Sequence, residues 1–166
     1  NKAVSFDGDR NLQTFVEIEG GGLDTFKMLY SDSIFYPYVW RVRHFQEKNP
    51  NEVSIWFTPE GKPYSFSQKL SEDEPGSAIS RNDAFEIAVK SLKDDWYVNL
   101  DQYELVDESE KVQPGGRVDH TFTFQLSGFQ LGENGFIKLK LTVLGDRLGE
   151  LVHYAQVPEA FNRRFS

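Results

Sequence analysis

The chain has 166 residues, 39% of them apolar and 14% aromatic, enough to bury a core in one domain or two small fused units. A net charge of −8 argues against a nucleic-acid partner, whose phosphates need Lys and Arg to neutralise them, and equally against an anionic membrane surface. With no cysteine there is no disulfide framework, thiolate nucleophile or sulfur-ligated metal, and no run within these residues approaches the ~18 apolar positions of a membrane span.

In chain order, residues 3–6 read as a strand. A helix is predicted after Asp9, carrying Leu12, Phe15 and Val16 inward and stopping at Gly20-Gly21-Gly22. Residues 38–45 and 52–58 alternate apolar and polar positions as strands, and Pro59-Glu60-Gly61 turns the chain into a further strand over 64–70. Residues 71–77, acidic and broken by Pro75-Gly76, read as a linker too polar to pack. The clearest helix spans 82–96, with Ala84, Phe85, Ala88, Val89 and Leu92 on one face and Ser80 with Asp83 in a capping-box arrangement. Residues 118–126 and 136–144 alternate strictly, which is the mark of half-buried strands, and Gly145-Asp146 turns the chain into a last strand over 151–157.

The two halves follow one plan used twice, in which a strand leading into an irregular segment, an aromatic strand, a second alternating strand, a Gly turn and a last strand recur in order, the second copy with its own helix in front. This predicts an α+β fold of two helix-plus-antiparallel-sheet units in tandem, each helix covering its own sheet, with the first unit lacking its leading helix. The units occupy residues 1–70 and 80–157, with a linker at 71–79 and a terminal segment at 158–166.

Few residues present themselves for chemistry. The three histidines, His44, His120 and His153, all fall on predicted strands without the helical i, i+4 spacing of a zinc site; only a close approach of His44 and His120 on equivalent strands would bring two together. Asp119-His120 suggests a base oriented by a carboxylate, but neighbours on a strand point to opposite faces. Arg117 and Asp119 share one face and can pair there, while His120 joins Phe122 and Phe124 on the other. Arg41 and Arg43 share a face of their strand, suited either to an anion or peptide carboxylate or to cross-strand acidic partners. Trp56 and Tyr64 are candidate aromatic contacts. Asp7-Gly8-Asp9 offers oxygens but departs from a calcium loop, whose closing position would be Ile18. There is no G-x-S-x-G elbow, P-loop or dinucleotide fingerprint.

The blocks Arg117-Val118-Asp119-His120-Thr121-Phe122-Thr123-Phe124, Gly145-Asp146 and Val157-Pro158-Glu159-Ala160-Phe161-Asn162-Arg163-Arg164-Phe165, with Trp40-Arg41-Val42-Arg43 and Phe15-Val16-Glu17-Ile18-Glu19-Gly20-Gly21 upstream, resemble a known region. It is the extracytoplasmic part preceding the membrane helices of bacterial CAAX-prenyl-endopeptidase-like proteins, the CPBP intramembrane metalloprotease family; Phe124 and Phe161 stand where that family is expected to carry Trp. The repeated unit is similar to the PepSY-like module of bacterial membrane proteins. The family's Glu-Glu-x-x-x-Arg motif and membrane histidines have no counterparts here, so no catalytic, cofactor or metal residue carries over. What the resemblance implies is a non-catalytic binding or regulatory domain on the extracytoplasmic face, whose partner is a peptide, an envelope component or the protein's own membrane domain. A processed fragment is expected, with membrane helices following residue 166. A soluble hydrolase built on acidic residues and Asp119-His120, and a structural spacer or dimerisation module, stand as alternatives.

Overall fold

The computed structural model describes residues 1–8, 12, 15, 24, 27 and 34–165. Among the described residues, eight strands run in chain order as β1 (Lys2–Gly8), β2 (Tyr38–Phe45), β3 (Glu52–Phe57), β4 (Pro63–Lys69), β5 (Tyr103–Val112), β6 (Val118–Leu126), β7 (Phe136–Leu144) and β8 (Arg147–Gln156). Helix α1 (Arg81–Asp95) and a 3-10 turn (Leu100–Gln102) separate the two sets of four, and α2 (Glu159–Phe165) follows the last strand.

All eight strands form one antiparallel sheet in the order β1-β2-β3-β4-β8-β7-β6-β5. This corrects the expected fold of two helix-plus-sheet units. Each half is a four-stranded meander, but the last strand of one pairs with the last strand of the other, Phe66 opposite Leu151 and Ser67 opposite Glu150. The physical reason is edge pairing: separate units would leave β4 and β8 with rows of unpaired backbone groups, and joining them satisfies both. Among the described residues, the main helix covers one half of the sheet only. α1 lies on β6, β7 and β8. In the first half, Leu12 and Phe15 are helical and buried, but they pack with Leu126, Leu131, Ile137 and Phe161 at the far end of the second half. The rest of the helix expected after Asp9, with its Gly20-Gly21-Gly22 stop, lies outside the described residues.

Alternation decides which face is buried. Opposed residues across the ladders share a face, so Phe122, Phe124, Leu139, Leu141, Val143 and Leu151 lie together beneath Ala84, Ala88 and Leu92 of α1. The other face carries Thr121, Thr123, Lys138, Lys140, Thr142 and Glu150. α1 begins where the Ser80 hydroxyl accepts the Asp83 N–H, the capping expected from sequence. Gly145 and Asp146 form a two-residue hairpin loop between Leu144 and Arg147, and Gly145 alone of the two has a positive φ, 67°, the pattern of a type II′ turn.

β5 fills the place of the leading strand that the repeated plan implies in the second half, without a sequence range of its own; Glu104 to Val112 are all exposed, so the alternating burial that marks β6 and β7 is missing. The linker, in contrast, is held down. The Arg117 guanidinium donates to the carbonyls of Ser71 and Glu74 at 3.3 and 2.7 Å.

Candidate functional site

The residues singled out from sequence fall into three separate places. On the β5–β6 hairpin, Arg117 is 2% and Asp119 7% exposed, and the guanidinium donates to both carboxylate oxygens at 2.8 and 3.1 Å. Gln113 Nε2 and the Gly145 N–H complete the shell of Asp119 at 2.9 and 3.1 Å. Burial alone would raise the Asp119 carboxyl, but the Arg117 and Gln113 hydrogen bonds and the Arg117 charge outweigh it and hold the group below its ordinary range. The same pair raises the Arg117 pKa, chiefly through the Asp119 hydrogen bond. His120 points away from this shell. Its ring is buried, runs parallel to Phe122, and places Nε2 3.0 Å from the Ile79 carbonyl. Arg117, Asp119 and His120 thus tie the linker, the β7–β8 turn and the start of α1 to one hairpin; the carboxylate does not orient the imidazole.

Arg41 and Arg43 lie together at the opposite end of the sheet, and both are occupied. Arg41 reaches Ser54 Oγ at 3.1 Å and lies over the Trp56 ring at 5.3 Å. Arg43 grips Glu52 with two nitrogens at 3.0 and 2.7 Å, and Lys69 approaches the same carboxylate at 3.2 Å. The hydrogen bonds from these two cations lower the Glu52 pKa. His44 is exposed on β2, five strands along the sheet from β6, so at ~4.8 Å per strand it lies more than about 20 Å from His120.

The third place is the seam between β4 and β8. Their register runs out at Phe66 and Leu151, and one step further the His153 N–H donates to Ser65 Oγ at 3.2 Å. The strands part there, and side chains fill the gap as a wall. Tyr64 and His153 stack at 4.3 Å with an interplanar angle of 10°, Tyr36 meets the Tyr64 ring edge-on at 5.2 Å, and the Tyr36 N–H donates to the Tyr64 hydroxyl at 3.3 Å. Two clefts flank the wall. One, of about 580 Å³, is lined by Asp7, Phe35, Val39, Trp56 and Tyr154; the other, of about 610 Å³, by Thr58, Lys62, Trp96, Tyr97 and Tyr103.

Burial keeps the wall neutral. It lowers the His153 pKa to about 4, against a small opposing effect of the Tyr64 backbone, and raises Tyr64 well above the ordinary phenol; Tyr103 is pushed up to about 12. Ser65 Oγ lies 3.3 Å from His153 Nδ1, the one hydroxyl–imidazole hydrogen bond among the described residues. A base that protonates near pH 4 is a poor acceptor for a serine proton at neutral pH, and no carboxylate stands within 4.0 Å of that ring among the described residues. What the seam offers chemically is aromatic area with a few polar groups at its rim.

No protein-family model, curated protein or solved structure matches this chain.

Of the seam residues, Trp56 and Tyr64 stand out from sequence as aromatic contacts and His153 as one of three strand histidines; Tyr64 serves as the buried wall while Trp56 is half-buried at the rim. Tyr36 and Tyr154 escape notice, and His153 is not placed beside Tyr64, because the β4–β8 pairing that gathers them spans more than 80 positions, Ser65 to His153 being 88 apart. Tyr36-Pro37-Tyr38, an aromatic pair around a proline just ahead of a strand, is the one local signal that points there.

Proposed function

We propose that this chain is a non-catalytic binding domain that holds an extended peptide at the β4–β8 seam, with an apolar or aromatic side chain seated between Trp56 and Tyr154. The observation that carries the reading is the parted seam itself. Beyond Leu151 the β8 backbone leaves its register with β4, and the opening is lined by Trp and Tyr, the residues that dominate binding hot spots. Backbone groups at such an opening favour a strand-like ligand, and the cleft beside them supplies side-chain selectivity. The resemblance of the Arg117–Phe124 and 157–165 blocks supports a place for the domain outside a bacterial membrane, ahead of a membrane-embedded protease-like domain whose access it governs. Among the described residues no helix is long and apolar enough to cross a membrane; the resemblance alone puts the tether in helices following residue 166.

The test is a library of ten-residue peptides, with and without Phe, Tyr or Trp at the centre, screened against the 15N-labelled chain. Aromatic-centred peptides are expected to shift resonances of Trp56, Tyr154 and Tyr36, and Trp56→Ala or Tyr154→Ser to weaken them at least tenfold. Shifts confined to other surfaces, or none with any peptide, overturn the site. Reproducible turnover of hydrolase substrates that is lost in His120→Ala while the fold survives overturns the non-catalytic reading. A stop codon shortly after residue 166, with no apolar run of about 20 residues in the gene, removes the tether.

A further inference from the structure

The two outer edges of the sheet are built differently. β5 carries Glu104, Asp107, Glu108, Glu110 and Lys111, and its ladder is broken by a register shift between Leu105 and Asp107. Charges and bulges of this kind deter a further strand from pairing, and a second β5 laid against the first would set acid against acid. β1 has neither protection. It pairs with β2 without interruption from Lys2–His44 to Gly8–Tyr38, and its only charges are Lys2 and Asp7 near the ends. Between them Val4 is 67% and Phe6 52% exposed, and Phe6 continues into the exposed ring of Trp40 at 4.8 Å.

The backbone of β1 says which groups are open. Asn1 exchanges both hydrogen bonds with Phe45, at 2.8 and 3.0 Å, so in the alternating antiparallel pattern Ala3, Ser5 and Asp7 also turn inward to β2. Lys2, Val4, Phe6 and Gly8 therefore point their N–H and C=O groups outward, where no strand lies among the described residues.

We propose that this edge pairs with β1 of a second copy of the chain, antiparallel, about a two-fold axis passing between the two Ser5 residues. Only this register sets every outward residue against an outward residue: Lys2 faces Gly8 of the second copy, and Val4 faces its Phe6. Val4 and Phe6 cover one another and extend the Trp40 strip across the axis, and the end of each strand that carries Lys2 lies beside the end of its mate that carries Asp7. The contact is isologous and closes after two copies, so it consumes the open edge without starting a filament. The sheets join into one, with the charged β5 edges at its two ends. It is independent of the peptide site at the seam.

The register makes the test specific. Ser5 faces Ser5 of the second copy in a non-hydrogen-bonded pair, where Cα atoms stand ~4.5 Å apart, within the range a disulfide bridges. The chain has no cysteine, so Ser5→Cys supplies a single thiol. Under mild oxidation it is expected to form a covalent dimer at least tenfold faster than Leu105→Cys on the other edge. Sedimentation equilibrium is expected to show a monomer–dimer equilibrium whose dissociation constant rises at least tenfold in Val4→Pro, which removes one outward N–H and no bond to β2, and in Phe6→Glu. Circular dichroism and thermal melts of both variants establish that β1 remains folded. A chain that stays monomeric to millimolar concentration, equal crosslinking of the two cysteine variants, or growth into open-ended polymers through mixed β1–β5 contacts each overturns the proposal.

Discussion

Removing the Arg117 side chain should be among the most damaging single changes in this protein. Asp119 accepts four hydrogen bonds, two of them from Arg117, in a shell where neither partner is more than 7% exposed. Arg117→Met leaves the carboxylate buried with Gln113 and the Gly145 N–H as its only donors, and frees the carbonyls of Ser71 and Glu74. Stripping one partner from a buried ion pair costs about 3–5 kcal/mol, against a total stability of about 5–15 kcal/mol for an ordinary domain. At about 2–4 °C per kcal/mol for a chain of this size, the melting temperature should fall by about 10 °C. The pH dependence supplies a second readout. In the parent the Asp119 pKa is lowered, so its contribution is full above the unfolded value near 3.8 and is lost as pH falls through the lower folded value. In Arg117→Met burial is left to dominate, the folded pKa rises above the unfolded one, and the slope reverses so that acidification favours the folded state. Arg117→Met with Asp119→Leu removes the orphaned charge and should recover part of the loss. Denaturant melts from pH 3 to 7 measure all three; a cost below about 1 kcal/mol for Arg117→Met, or a double variant that falls by the sum of both single losses, refutes the account.

Leu92→Ala should destabilise by about 2–5 kcal/mol, since the side chain is fully buried between α1 and the sheet, while Lys93→Ala on the exposed face should change a denaturant melt by less than about 0.5 kcal/mol. His153 ionises near 4 when folded and near 6.5 when unfolded, so stability should fall as pH drops from about 6.5 to 4, by at most about 3 kcal/mol, and flatten below; His153→Gln should abolish that slope, and NMR titration of the ring checks the value. Gly145→Ala should cost more than about 1 kcal/mol, because its φ of 67° disfavours any side chain and a Cβ would stand 3.2 Å from Ser77 N; an unchanged melting temperature argues against the strained turn.

Local physics made much of this molecule legible before its fold. The alternation of Phe122, Phe124 and Leu126 with Thr121, Thr123 and Gln125 specifies both a strand and its buried face, because side chains on a strand have a period of two. The spacing of Ala84, Ala88 and Leu92 behind Ser80 does the same for α1, and Arg117 and Asp119, two apart on one side of β6, were bound to meet. The bounds of β5 resisted because Glu104 to Val112, exposed throughout and charged at Glu104, Asp107, Glu108, Glu110 and Lys111, carry no alternation for a sequence to display. The single sheet resisted for a different reason: two meanders read identically whether or not their last strands pair, since that choice is made by backbone groups common to every residue. Side-chain chemistry along the chain therefore determined the strands other than β5, the main helix, the hairpin turn and the Arg117–Asp119 pair. Only the tertiary structure decided that β4 meets β8, where their register ends, and hence that Tyr36, Tyr64 and His153 form a wall between two clefts, because contacts between residues as distant as 65 and 153 leave no local imprint on either.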